Sequence, residues 1–98
     1  MKILPVGSVV SLHGLDGLVM IYGLFQKNLD TGKTSHYIGC RYPIGVTDTS
    51  DNFMFDASDI SKLYYIGFQD EEVLNYKLAL NRYFEENPDE KEKWFGFE

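Results

Sequence analysis

One cysteine, two histidines and three prolines are all that 98 residues hold of those types, and nine Lys and Arg face fifteen Asp and Glu. Cys40 alone cannot close an internal disulfide, so packing has to hold the chain, and this usage suits a reducing compartment. No Lys/Arg cluster offsets the formal net charge of -6. A phosphate backbone and an anionic membrane surface are therefore both disfavoured as partners, and no nucleic-acid or membrane role is expected. No apolar run approaches the ~20 residues that cross a bilayer, and Pro5 interrupts the start too early for a signal peptide. A cytoplasmic location follows as the expectation. Internal repeats and low-complexity tracts are missing as well.

What is present is bulk. The apolar fraction is 44% and the aromatic fraction 15%, mostly Tyr and Phe. Such a chain can bury enough surface to offset its ordering entropy, and at this length one domain burying roughly two thirds of its unfolded surface is expected. The character of the sequence changes at Gly67, Phe68, Gln69, Asp70, Glu71, Glu72. Before that point six acids (Asp16, Asp30, Asp48, Asp51, Asp56, Asp59) meet five bases; from residue 69 to 98 nine acids meet four. A nearly neutral β unit over 1–68 is thus followed by an acidic helix and aromatic tail over 69–98, with one domain overall.

Within the β unit, Val6 to Leu12 alternates in polarity, and His13, Gly14, Leu15, Asp16, Gly17 ends it in turn chemistry. Leu18 to Gln26 is apolar on both faces, which suits a central strand covered on two sides, with Gly23 as a bulge or bend. Two glycines within seven residues weigh against a helix there. Asn28 to Thr34 reads as a hairpin loop, Ser35 to Tyr42 as a strand, and Pro43, Ile44, Gly45 as a turn. Thr47 to Asn52 is a polar tip and Phe53 to Phe55 a short strand. Asp56, Ala57, Ser58, Asp59 form one capped helical turn. Ser61 to Phe68 is the last strand. Short strands joined by compact turns favour an α+β fold: a small antiparallel five-stranded curled sheet or SH3-like barrel followed by a C-terminal helix.

The helix starts at Asp70, a suitable N-cap, with Glu71 and Glu72 where the dipole favours negative charge. Val73, Tyr76, Leu80, Tyr83 and Phe84 recur at helical spacing, so one face should dock on the sheet. Pro88 stops the helix just beyond Glu86. Asp89 to Lys93 is helix or coil. Trp94, Phe95, Gly96 and Phe97 then form an apolar tail that either folds back on the β unit or stays available as a docking peptide.

Catalytic constellations are hard to assemble from this inventory. His36 and Cys40 on one strand stand roughly 13 Å apart, too far for one zinc ion or for a nucleophile pair. Cys40 reads as a small buried hydrophobe. Asp48, Asp51 and Asn52 lack the pattern of a calcium loop. No helix bearing Lys and a hydroxyl residue follows Gly14, Leu15, Asp16, Gly17, so no phosphate cradle is expected. Glu71 and Glu72 point about 100° apart on a helix and are explained by capping. No enzyme, no metal and no cofactor is the expectation. The candidate partner-binding residues are Glu71, Glu72, Tyr76, Tyr83, Trp94, Phe95 and Phe97, because aromatic anchors dominate interface energetics.

One set of segments remains: Leu4, Pro5, Val6, Gly7, Ser8, Val9, Val10; Met20, Ile21, Tyr22, Gly23; Tyr37, Ile38, Gly39; Tyr42, Pro43, Ile44, Gly45; Phe53, Met54, Phe55; Asp59, Ile60; and Gly67 to Glu72. Together they resemble a small family of unknown function encoded in Gram-positive bacteria beside type VII secretion clusters, near the LXG toxins. The likeness spans residues 4 to about 74. Leu24 stands where that family usually has Arg, and Ile44 where an acid is common. The resemblance implies a cytosolic accessory protein that binds a secreted toxin, or its helical targeting partners, before export. Two readings follow from it: a chaperone-like adaptor for a client protein, and, as the alternative, an immunity protein that blocks a toxin. A minor third is an enzyme or ligand-binding barrel with a deep pocket at His36 or Tyr37. Homo-oligomerisation is left open.

Overall fold

A computed structural model describes residues 3–48 and 52–95. The chain falls into two compact units: a β unit, Leu4–Phe68, and a helical unit that takes Ile3 together with the chain from Gln69 onward. The class is α+β, with five antiparallel strands that do not close into a barrel.

The strands are β1 (Val9–Leu12), β2 (Leu18–Lys27), β3 (Thr34–Tyr42), β4 (Phe53–Phe55) and β5 (Ile60–Tyr65). Their order in the sheet is β4-β3-β2-β1-β5, so β2 is central and β4 and β5 are the edges. β1 pairs Val10 with Val19 and Val9 with Met20, and β3 pairs Gly39 with Ile21 and Tyr37 with Leu24. The β2–β3 register slips between Ile21 and Gly23, so the glycine marks a bulge. Two residues on, Phe25 takes a φ of 52°. Val10, Val19, Ile21, Tyr37 and Phe55 are buried, and the Tyr37 and Phe55 rings lie 5.5 Å apart between centroids. Burying side chains of this kind contributes about 1.5–3 kcal/mol each, which makes this row the main stabiliser of the unit.

Turns follow local chemistry. Asn28 Oδ1 accepts the amides of Asp30 and Thr31, closing the β2–β3 loop. The Tyr42–Pro43 peptide is cis, and the Gly45 amide returns to the Arg41 carbonyl at 2.7 Å. A single 3-10 turn, Ala57–Asp59, is capped by Asp56 in a reciprocal box, with the Asp56 amide donating to Asp59 Oδ2 at 2.9 Å.

Both flanking strands are shorter than their hydrophobic patterns suggest. β1 begins at Val9 and not Val6, although Gly7 and Ser8 still bond to Ile21 on β2 at 2.8 Å each. β5 ends at Tyr65 and not Phe68. The cause is one crossing. Gly67 lies against Val6–Ser8 so closely that a Cβ on it would stand 2.3 Å from the Val6 carbonyl oxygen and 2.9 Å from the Ser8 nitrogen. Its amide donates to Ser8 Oγ at 2.9 Å, and Ser8 Oγ donates to the Pro5 carbonyl at 2.8 Å. Both residues are buried.

In the helical unit, α1 spans Glu71–Glu86 and α2 spans Pro88–Phe95. Asp70 accepts the Val73 amide at 3.1 Å, so the cap acts as its residue type requires. Asn87, just before proline, leaves helical geometry at φ -130° and ψ 74°, and its side chain donates to the Tyr83 carbonyl at 2.8 Å. Pro88 ends one helix and opens the next, because a first-turn residue has no need of an N–H. The covered stripe of α1 is Val73, Lys77, Leu80, Asn81 and Phe84, of which Phe84 is buried. Phe95 brings its ring edge-on to Phe84, 5.2 Å between centroids.

The crossing yields a prediction. Gly67→Ala must displace backbone, and Ser8→Ala leaves a buried N–H without its acceptor, at about 1–3 kcal/mol. Urea unfolding should show both midpoints lowered while an exposed change such as Leu29→Ser leaves the midpoint in place.

Candidate functional site

Three groups of residues compete for a functional role, and the first is the acidic helical surface. Glu71 and Glu72 are exposed in the first turn of α1. Tyr76 and Tyr83 flank the covered stripe and are 49% and 47% exposed, and Leu74 and Leu78 are open as well. Trp94 and Phe95 are half-buried at the end of α2, and Phe97 lies outside the described residues. Tyr76 and Tyr83 share a side of the helix seven residues apart. Phe95 instead spends its ring on Phe84.

The second group is an open groove of about 460 Å³ on the β unit, lined by Gly7, Val9, Leu18, Met20, Tyr42, Tyr64 and Tyr65. Register explains it. Cys40 pairs with Met20, Met20 with Val9 and Val9 with Tyr65, so one apolar row crosses β3, β2, β1 and β5. Leu18 and Tyr42 form the neighbouring pair. Lys62 stands beside it, its ammonium 4.8 Å from the centroid of the Tyr64 ring. The groove escaped sequence reasoning, although two signals pointed towards it: the second apolar face of β2 and the Tyr64–Tyr65 doublet.

The third group surrounds His36. Its amide donates to Asp56 Oδ1 at 3.0 Å, and its ring Nδ1 accepts the Ala57 amide at 3.1 Å. Both of these bonds tie β3 to the turn before β5. His36 and Tyr37 do not share a pocket: Tyr37 is buried in the core, its hydroxyl accepting the Leu4 amide at 3.1 Å. Cys40 is buried on β3. Among the described residues, no group of three or more His, Cys, Asp or Glu is placed to hold a metal ion. No helix of the described residues is long and apolar enough to cross a membrane.

A family described as domain of unknown function (DUF4176) matches residues 3–75. The chain belongs to this family. No curated protein and no solved structure matches it. The DUF4176 region takes in the whole β unit, the groove and the His36 turn, and it ends within the first turns of α1. Glu71 and Glu72 fall inside the match, whereas Tyr76, Tyr83, Trp94, Phe95 and Phe97 lie beyond it. The two apolar surfaces of this DUF4176 protein therefore differ in kind: one is built into the family region and the other is carried after it.

Burial pushes the Tyr37 phenol up from its ordinary value, the Leu4 amide acting in the opposite sense. A raised folded-state value means that stability is fully present below the unfolded value near 10 and is lost as pH rises through the folded one. Thermal unfolding between pH 9 and 11 should therefore show the wild-type chain losing stability more steeply than Tyr37→Phe. Parallel curves would place the alkaline sensitivity elsewhere.

Proposed function

We propose that this DUF4176 protein is a non-enzymatic adaptor, chaperone-like in action, that binds a client polypeptide through the C-terminal third of the chain. The client is a type VII secretion substrate of the LXG toxin class, or a helical targeting partner of such a toxin. One observation carries the reading: α1 leaves Tyr76, Tyr83, Leu74 and Leu78 open beside an acidic first turn. Tyrosines of this kind supply large contact area at low entropic cost, and they pair with apolar grooves. Glu71, Glu72, Asp89 and Glu90 add a field that steers a basic partner and speeds encounter.

Mechanistically, the β unit serves as a rigid platform and the helical unit as the reader. Tyr76 and Tyr83 are the first anchors, with Trp94 next; Phe95 is already engaged with Phe84. Binding would keep the client soluble and competent for export without any bond made or broken.

The test is copurification with an LXG toxin, using its targeting region and its toxic domain as separate baits at low salt. The targeting region should be retained, and Tyr76→Ala with Tyr83→Ala should cut retention at least tenfold. No retention at low salt contradicts the adaptor reading. Retention by the toxic domain alone, with rescue of cells from it, would mark an immunity protein instead.

A further inference from the structure

The sheet is charged in the opposite sense to the chain that carries it. The five described strands contain Lys27, Arg41 and Lys62 and not one Asp or Glu, although the chain has fifteen acids. Among the described residues, every acid lies in a loop, a turn or a helix. Lys62 adjoins the groove, over the Tyr64 ring. Tyr65 and Tyr42 are 60% and 51% exposed at its two ends, and Val9 between them is buried.

We propose that this groove binds an acidic amphipathic helix of a partner protein, laid across the strands. Its direction argues for a helix rather than an added strand. The groove runs from Tyr42 on β3 through Leu18 and Met20 on β2 and Val9 on β1 to Tyr65 on β5, across four strands, and so covers three inter-strand spacings. At about 4.8 Å each that is about 14 Å, or about ten residues of helix at 1.5 Å rise. A strand would instead lie along β5 and leave the groove empty. Charge decides the sign of the occupant. Carboxylates flanking its apolar stripe would meet Lys62 with no acid on any strand to repel them, whereas a basic helix would face a cation with nothing to pair. The groove shares no residue with the Tyr76 and Tyr83 surface, so the chain carries two surfaces of opposite preference. An adaptor with both can join a basic partner to an acidic one.

The experiment uses the full chain, isotope-labelled, and two synthetic helical peptides that share one Leu/Phe stripe and differ only in carrying Glu or Lys on its flanks. The Glu peptide should move the amide signals of Val9, Met20, Tyr64 and Tyr65, with the Lys peptide at least tenfold weaker. Lys62→Glu should reverse that preference, and Tyr65→Ser should weaken both peptides while the remaining signals stay in place. Equal affinity for the two peptides overturns the proposal. So do shifts confined to α1 and α2, or groove signals that move with protein concentration alone, which would give the groove to a second copy. Because the client test depends on Tyr76 and Tyr83, failure of either proposal leaves the other distinguishable.

Discussion

A buried hydroxyl joins the beginning of the β unit to its end. Ser8 Oγ donates to Pro5 and accepts from Gly67, fifty-nine residues away, using its proton and one lone pair where no water competes. The contact requires that Gly67 have no side chain, because the Val6 carbonyl occupies the space of a Cβ. Several features follow from it. β1 cannot begin before Val9, β5 cannot run past Tyr65, and the chain leaves the sheet at one defined place before Asp70 caps α1. Gly7, at φ 95°, supplies at the crossing a backbone conformation that residues with a side chain rarely adopt.

The same crossing sets up the groove. Gly7 and Val9 form its floor, Tyr64 and Tyr65 rise from the strand that Gly67 terminates, and Met20 and Leu18 come from the central strand. Because the sheet stays open, its second face is not consumed by closure. A central strand that is apolar on both faces then presents one side to the core through Val19 and Ile21 and the other to the groove through Leu18 and Met20. With no carboxylate on the described strands, the sheet and the helices offer surfaces of contrasting charge on one chain.

Much of the fold was legible because its signals are local. Asp70 with Glu71 and Glu72 announces a helix start, Asn87 before Pro88 its end, and Asp56 with Asp59 a capped turn, each decided within four residues. Gly23 was readable as a bulge from its place in an apolar run. Long-range features left no such mark. Nothing near Ser8 points to Gly67, and the groove depends on a β1–β5 register that shifts between Val9 and Val10. The edge-on contact of Phe95 with Phe84 depends on the bend at Asn87. For the helical surface the pattern was sound in kind and loose in detail: Tyr76 and Tyr83 were grouped with Leu80 and Phe84 on one face, whereas they flank the covered stripe and Lys77 occupies its centre.

Hydrogen exchange at the Gly67 amide tests the central claim directly. Bonded to a buried hydroxyl at the crossing, it should exchange only with the opening that releases Val19 and Ile21, so its protection should match theirs. A Gly67 amide that exchanges as fast as those of the Asn28–Lys33 loop would contradict the account, since the crossing would then not hold the ends of the sheet together.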